Sequence, residues 1–328
     1  MKICDTIAIG ALGAFAVACV VLHAKADAGE VLRPYRVGVL NESGAANHPT
    51  VEGLKAGLRA FGFEEGRDVT FDIRFTKGDP SATNAAAAAL VNSQVDLLFT
   101  SNEAATQAAK SATQKIPIVF TLVGDPVAVG IVTQLAQPGG NVTGVSSLTT
   151  ELVPKRIETL QKLAPGIRRI WTIYYAGDPS SVAAARKAQE AGPRLRIQVV
   201  DRPVRTVEEL ERALKELQPG DALLPPDIAK MDIPAVILEA SLAARIPAVF
   251  PAALWVGNGG LVSYGPDYYA QGVQAARLVA KILRGARPQD LPVEGADKID
   301  LAVNLKTANL LGLTVPRKVL VRADRLQR

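Results

Sequence analysis

The chain has 328 residues, of which 48% are hydrophobic and 5% aromatic, and its formal net charge is +5 at pH 7. This globular composition and length favour two domains with sizeable cores. Two cysteines and two histidines would suffice for one Cys/His zinc cluster, but both cysteines and one histidine lie within the first 26 residues, whose expected removal excludes it. Both glycine-rich nucleotide fingerprints are absent. The positive charge is modest and spread along the chain, which argues against nucleic acid as a partner. We therefore predict no cofactor, no metal and no nucleic acid.

The first 26 residues form a segment of a different kind. Lys2 precedes an apolar run over 7–22, and Ala24-Lys25-Ala26 ends the segment. This pattern is typical of a secretory signal peptide with an A-x-A cleavage site, so we predict export to the periplasm. Two alternatives are an uncleaved membrane anchor and a lipoprotein acylated at Cys19.

Cleavage after residue 26 would remove both cysteines, Cys4 and Cys19, and one of the two histidines, His23. A cysteine nucleophile and a disulfide would then be impossible, and a Ser/His/Asp triad would depend on His48 alone. These losses argue against an enzyme, although a hydrolase built on two carboxylates stays open.

From residue 35 onward, short β-rich runs alternate with segments of helical spacing. In the first half we predict strands at 35–40, 69–75, 95–100, 116–121 and 141–146, with helices at 51–63, 80–90, 103–113 and around 127–135. In the second half we predict helices at 151–163, 180–191, 207–217 and 232–244, with strands at 169–175, 196–200, 221–226 and 246–251. A glycine-rich run (255–265), a helix (267–285), a strand (299–304) and a short helix (305–313) follow.

This alternation predicts an α/β fold with parallel sheets covered by helices on both faces. Two such runs indicate two doubly wound domains. We assign 31–147 and 255–290 to an N-terminal lobe and 148–254 and 291–328 to a C-terminal lobe. The chain would then pass between the lobes three times.

Four segments carry a resemblance to a known family: EGLKAGLRAFGFEEGRDV (52–69), GDPVAVGIVTQLAQPGGNVTGVSSL (124–148), the run from GGLVSYG to DLPVE (259–294) and VNLKTANLLGLTVP (303–316). Together they resemble the ABC-transporter substrate-binding protein family whose characterised members include tryptophan-binding lipoproteins. The resemblance implies a type I periplasmic-binding-protein fold with three hinge strands and a ligand in the cleft. It further implies an ABC permease as partner, an aromatic amino acid as ligand and a monomer as the default state.

In open α/β sheets, ligands sit at the carboxyl ends of the strands, where helix N-termini present unpaired N–H groups. The residues that follow the predicted strands are therefore the candidates for ligand binding. They are Glu42, Ser43, Thr100, Ser101, Asn102, Thr121, Asp125, Tyr174, Ser181, Asp227 and Tyr264.

A free amino acid needs two opposite contacts. The hydroxyls and N–H groups of 100–102 suit its carboxylate, and Asp227, with Glu42 as second choice, suits its ammonium group. However, Glu103 places an acid beside the expected carboxylate contact. A non-amino-acid aromatic compound or another small polar solute is therefore open as the ligand.

An aromatic ligand also requires a flat apolar neighbour, for which Tyr174, Tyr175, Trp255 and Tyr264 are available. Tyr174 and Tyr175 are adjacent in a strand, so only one of them can face the cleft. Trp255 also suits packing or a hinge contact, and Tyr264 suits either the cleft or a structural role.

Several candidates have a structural alternative. Thr100 and Ser101 could cap the following helix, and His48 suits a turn or a helix start. Asp125 precedes Pro126, which is the usual pairing of an N-cap with a first helical residue, so we expect Asp125 to hold the helix rather than to perform chemistry.

The predicted function is that of an exported solute-binding protein that closes around a small ligand and delivers it to an ABC permease. The second hypothesis is a ligand-sensing receptor component with the same fold. A carboxylate-based hydrolase is the third, and turnover of a candidate solute would identify it.

Overall fold

The computed structural model describes residues 33–42, 48–226 and 233–328. The predicted signal peptide, Ser43 and Asp227 lie outside the described residues. The strands are β1 (Tyr35–Asn41), β2 (Val69–Phe75), β3 (Leu97–Ser101), β4 (Ile118–Val123), β5 (Val142–Ser146), β6 (Arg169–Tyr175), β7 (Gln198–Val204), β8 (Asp221–Leu223), β9 (Val249–Phe250), β10 (Val262–Pro266), β11 (Glu294–Gly295), β12 (Ile299–Asn304) and β13 (Arg325–Gln327).

Helices connect most of these strands. They are α1 (Pro49–Ala60), α2 (Pro80–Asn92), α3 (Glu103–Ala112), α4 (Val153–Leu163), α5 (Pro179–Leu195), α6 (Val207–Lys215), α7 (Ile233–Ala244), α8 (Ala253–Gly257), α9 (Tyr268–Leu283), α10 (Leu305–Leu310) and α11 (Arg317–Arg322). Most begin at a side-chain cap, and in α1, α2 and α5 a proline follows that cap, as Pro80 follows Asp79 and Pro179 follows Asp178.

The strands form three sheets. The first is parallel, with the order β11-β5-β4-β3-β1-β2. The second has the order β13-β12-β10-β9, in which only the β10–β12 pair is antiparallel, and the third has the order β7-β6-β8. A bridge between Leu223 and Ala248 links the third sheet to the segment leading into β9. Parallel sheets with covering helices confirm the predicted α/β class.

We call the elements around the first sheet the first lobe, and those around the other two sheets the second lobe. In the first lobe, α1 and α9 pack closely because glycines line their contact. A Cβ added at Gly53 would overlap the carbonyl of Tyr269, and one at Gly272 would overlap the carbonyl of Thr50. This backbone contact holds the starts of α1 and α9 over the ends of the strands.

The predicted helix around 127–135 is wrong, because this segment forms a short turn instead. Gly130 adopts a left-handed φ of 68°. The N–H of Ile131 donates to the Pro126 carbonyl (2.9 Å) and that of Gly130 to the Val127 carbonyl (3.0 Å). This pair of bonds is the Schellman arrangement, which ends a helix after its first turn.

The crossovers also differ from the expected boundaries. Strand β10 pairs with β9 and β12, so 262–266 belongs to the second lobe, and β11 pairs with β5, so 294–295 belongs to the first. The second crossover therefore follows residue 266 rather than 254, and the third follows residue 295 rather than 290. The glycines of the run 255–265 let β10 lie against β9, since Cβ atoms at Gly260 and Gly265 would overlap Phe250 and Pro251.

Candidate ligand-binding site

Three polar side chains lie at or near the ends of adjacent strands of the first lobe. Asn41, Ser101 and Thr121 are buried neighbours across β1, β3 and β4. Because alternate residues of a strand share a face, all three lie on the face whose core packs against α1 and α9. The predicted candidates Ser101 and Thr121 are therefore brought together beneath two helix starts.

Ser101 Oγ and Gln271 Oε1 are buried in this region and have no hydrogen-bond partner among the described residues. Ser101 is 2% exposed and Gln271, in the first turn of α9, is 1% exposed. Gln271 Nε2 donates to Ser147 Oγ just after β5 (3.2 Å). An unsatisfied buried polar atom costs about 1–3 kcal/mol, and so it points to a group that arrives from outside the fold.

The neighbours of Ser101 have structural partners instead. Asn102 Oδ1 accepts from the Ala105 N–H (3.0 Å) and caps α3, while its Nδ2 donates to the Glu42 carboxylate (2.6 Å). Thr100 Oγ1 bonds Thr106 Oγ1 (2.8 Å). Of the three residues predicted to contact a ligand carboxylate (100–102), Asn102 is therefore the one that caps α3. Ser101 is the one whose hydroxyl has no partner in the described structure.

Thr121 and Asp125 are also held by the fold. Thr121 Oγ1 donates to the Thr100 carbonyl (3.3 Å). Asp125 Oδ1 accepts from the N–H groups of Val127 (3.2 Å) and Ala128 (3.0 Å). The expected capping role of Asp125 is confirmed, although what it caps is a turn.

The second lobe contributes a cavity of about 30 Å³ at the ends of β6 and β8, beneath the first turn of α5. Its polar lining combines hydroxyls with one guanidinium, and the adjoining wall is formed by aliphatic residues and two prolines. The polar lining residues are Thr149, Arg156, Thr172, Tyr174, Ser180 and Ser181. Two predicted residues, Tyr174 and Ser181, are therefore found here.

Arg156 is 2% exposed and extends from α4 to two separate segments. Its Nη1 donates to the Thr149 carbonyl (3.0 Å), and its Nε donates to the Tyr264 carbonyl in β10 (2.8 Å). A planar guanidinium suits this double role, because its donors point in fixed directions. Arg156 thus lines the cavity and joins the first crossover to β10.

Tyr174 is held in the cavity wall by burial and by Asp201. Burial, the charge of Asp201 and a hydrogen bond to it raise the pKa of Tyr174 to about 12. The hydroxyl therefore stays protonated at neutral pH and can donate. Tyr175, the next residue, packs on the opposite face with the core under α6 and α7. This confirms the expectation that only one of the two adjacent tyrosines can face the cavity.

The two lobes meet at the starts of two helices. The Ser180 hydroxyl in α5 donates to the Glu103 carboxylate in α3. Beside this bond, a Cβ added at Gly124 would overlap Thr149 Oγ1 and approach Ser180 Oγ to 3.8 Å. The ends of first-lobe strands thus lie directly against the rim of the second-lobe cavity.

Three other residues lie elsewhere. Tyr264 lines a surface groove beside α4 and α11 rather than the cavity. Trp255 stacks on Phe250 with ring centroids 5.8 Å apart, which is packing. His48 caps α1 and stacks on Tyr268, and burial lowers its pKa.

Neither a metal site nor a membrane span is found within 33–42, 48–226 and 233–328. No three His, Cys, Asp or Glu residues of these ranges are grouped to hold a metal ion. None of their helices is both long and apolar enough to cross a bilayer.

Two lobes with doubly wound sheets, joined by three crossovers and lined by polar strand ends, define a solute-binding protein of the type I periplasmic-binding class. The family model for ABC transporter substrate binding proteins matches residues 37–327, and the chain belongs to this family. This confirms the resemblance read from the sequence. The family consists of substrate-binding transport proteins that take small molecules and work with an ABC permease.

Individual relatives agree with this assignment. The chain is 27% identical to a tyrosine-binding protein of Clostridioides difficile over 272 residues, which covers 81% of this chain and 78% of the relative. A conserved domain protein from Vibrio cholerae is 32% identical, with a TM-score of 0.79 over 90% of this chain and 99% of the other. A domain from Streptococcus pneumoniae in complex with L-Trp is 25% identical, with a TM-score of 0.79 over 89% and 99%.

Sequence reasoning missed Ser147, Thr149, Arg156 and Gln271. Ser147 and Thr149 follow β5, so the rule that selected the other strand ends could have found them. Arg156 and Gln271 come from helices, and no local pattern distinguishes them from ordinary surface residues.

Proposed function

We propose that this chain is the exported solute-binding component of an ABC importer and that it captures an aromatic amino acid between its lobes. The proposal is supported by family membership and by two relatives, one named for tyrosine and one bound to L-Trp, at 27% and 25% identity. The observation that carries it is the contact between Glu103 and Ser180, which brings two clusters of polar side chains to one cleft.

In the first lobe, the polar end of the ligand forms hydrogen bonds with the buried Ser101 hydroxyl and with the side-chain amide oxygen of Gln271. Neither group has a partner among the described residues. A ligand carboxylate accepts from the Ser101 hydroxyl, and a ligand ammonium group donates to Gln271 Oε1. The nearby carboxylate of Glu42, and Asp227 in our sequence-based hypothesis, add the negative charge that an ammonium group requires.

In the second lobe, Tyr174 and the prolines of the cavity wall provide the apolar surface for an aromatic ring. The cavity of about 30 Å³ has room for roughly one or two water molecules and no more. An indole or phenol ring therefore enters while the lobes are apart, and closure follows. A ligand that touches both lobes binds the closed state more tightly and shifts the population toward it.

The remaining parts of the proposal concern the setting of the protein. The segment 1–26 directs export and is cleaved, which places the binding domain in the periplasm. The protein works as a monomer, hands its ligand to the permease and does not transform it. Nucleic acid is not among its partners.

The test is a thermal-shift screen of the purified protein, followed by calorimetry. The panel contains amino acids, aromatic acids, nucleobases and sugars, and a ligand of the folded state raises the midpoint. We expect the largest shift among tryptophan, tyrosine and phenylalanine, with the ligand recovered unchanged. A hit confined to another class would reject the aromatic amino acid, and turnover of the ligand would reject the transport role.

Asp227→Ala tests the sequence-based contact to the ammonium group. We expect weaker binding of the ligand identified by the screen, with the unfolding midpoint of the unliganded protein unchanged. Equal affinity in calorimetry would remove Asp227 from the site.

A further inference from the structure

A second cavity lies on the second lobe, outside the cleft. It is a groove of about 730 Å³ between α4 and α11, which we call the C-terminal groove. Its floor includes Tyr264 and Leu301, which are partners across β10 and β12, together with Val319 of α11. This volume falls in the range of small-molecule sites, about 300–1,000 Å³.

The walls of the C-terminal groove are basic. Lys162 lies on α4, and Arg317, Lys318 and Arg322 lie on α11. Within the described part of the chain, no carboxylate forms an ion pair with any of these four. A fifth cation, Lys155, is paired with Glu158 at 2.8 Å.

One further acid, Asp324, lies close to the floor, and its carboxylate already accepts a backbone hydrogen bond. Asp324 Oδ2 accepts from the Leu301 N–H (2.8 Å). The local charge at the rim is thus strongly positive, whereas the floor is apolar. The methylene stems of the lysines and arginines extend that apolar surface upward and leave their charged ends at the rim.

The basic tail PRKVLVRADRLQR (316–328) acquires a structural meaning here. Its charges alternate with Val and Leu, and folding buries some of these apolar side chains while it leaves others exposed. Val319 is buried, while Val321 is 78% exposed at the groove. Val321 therefore adds apolar surface to the groove among the cations of its rim.

We propose that the C-terminal groove binds a small anionic amphiphile, with the class of medium-chain fatty carboxylates as its occupant. The acyl chain lies on Tyr264, Leu301 and Val321, and the carboxylate pairs with the cations of α4 and α11. The charge of the rim selects an anion, and the groove has ample room for one such molecule. This site is separate from the cleft and does not depend on the ligand proposed there.

The test uses fluorescence of dansyl-undecanoate with the purified protein, and competition by unlabelled compounds below their micelle concentrations. We expect dodecanoate to displace the probe and dodecyltrimethylammonium not to. In the series octanoate, decanoate and dodecanoate, affinity should rise by up to about fourfold per added CH₂. A cleft ligand at saturation should leave the probe bound.

The decisive variant is Lys162→Glu combined with Lys318→Glu, both on the exposed rim. Its control is Lys115→Glu combined with Lys306→Glu, which are exposed outside the groove and change the net charge equally. We expect about tenfold weaker probe binding for the groove variant only, with both proteins folded by circular dichroism.

Four outcomes would overturn the proposal. They are equal weakening in both variants, no weakening in either, displacement of the probe by the cationic amphiphile or the cleft ligand, and binding to phosphatidylglycerol vesicles without binding to free dodecanoate. The last would assign the groove to a lipid surface instead.

Discussion

The Ser180 hydroxyl and the Glu103 carboxylate form a hydrogen bond that joins the start of α5 in one lobe to the start of α3 in the other. Residues 77 positions apart in the chain thus meet where the cleft closes. Because this bond exists only when the lobes are together, it contributes to the closed state and not to the open one. The population of the closed state should therefore respond to the loss of either partner.

Ser180→Ala removes that bond. A hydrogen bond to a charged group is worth about 1.5–3 kcal/mol when buried and less in a partly exposed cleft, so we expect about fivefold weaker ligand affinity. Calorimetry gives the affinity, and small-angle scattering of the unliganded protein should report a larger radius. Ser81→Ala is the matched control, since Ser81 follows Asp79-Pro80 at the start of α2 as Ser180 follows Asp178-Pro179. Equal behaviour of the two variants would contradict a role in closure.

Gly124→Ala places a methyl group against Thr149 Oγ1 at the rim of the cavity. Overpacking of this kind costs about 1–3 kcal/mol, and the lobes can relieve it by separating. We expect a lower unfolding midpoint in urea and weaker ligand binding. The double variant with Thr149→Ala removes the overlapping oxygen and should recover most of both losses. Failure of this rescue would show that Gly124 acts through its own backbone instead.

Ser101→Ala separates a ligand contact from a structural one. Ser101 Oγ has no hydrogen-bond partner among the described residues, so its removal should change the free energy of unfolding by no more than about 0.5 kcal/mol. Ligand affinity should fall about tenfold if the hydroxyl donates to the ligand. Thr100→Val is the control, because Thr100 bonds Thr106. For that variant we expect lost stability with little change in affinity. The reverse pattern would exclude Ser101 from the site.

His48 makes stability depend on pH below neutrality. Burial lowers its pKa from 6.5, and its Nδ1 accepts from the Thr50 N–H, which requires the neutral ring. The unfolded chain therefore takes up the proton first as the pH falls. The stabilisation is present above pH 6.5 and is lost as the pH falls through the lower folded-state pKa. Urea unfolding at about pH 8 and about pH 5 should show this loss, and His48→Asn, which keeps a capping side chain, should reduce it. If the free energy of unfolding of that variant depended on pH as strongly as before, the effect would belong to other groups.

Much of the fold was predictable because most strands and helices have clear periods. The bounds of β2 (69–75) and β6 (169–175) agree with the prediction, since uninterrupted apolar or alternating runs define them. The errors lie at glycines, which act either through a left-handed backbone conformation or through close three-dimensional contact. Gly130 ends a predicted helix after one turn, and Gly260 and Gly265 allow close packing within the second lobe, beyond the residue 254 at which the chain was expected to leave it.

The site was less predictable, for a different physical reason. The strand-end rule selected Ser101, Thr121, Tyr174 and Ser181 correctly as positions near the two polar clusters, while their contacts with a ligand stay predictions. Tyr264 was selected as well, but it lies in the middle of β10 rather than at its end, and it faces the C-terminal groove. Whether a hydroxyl is already satisfied, as for Thr100, depends on a partner in another element, which a local pattern does not reveal.

Arg156 determines where the molecule can bend. It fastens the Thr149 carbonyl and the Tyr264 carbonyl to α4, so both segments move with the second lobe as one piece. We expect the backbone rotation of the first two crossovers to occur in the few residues on the first-lobe side, among them Leu148, whose φ of 54° is left-handed. Because these residues lie so close to the first sheet, a small rotation of the second lobe about them moves the mouth of the cleft by a larger distance.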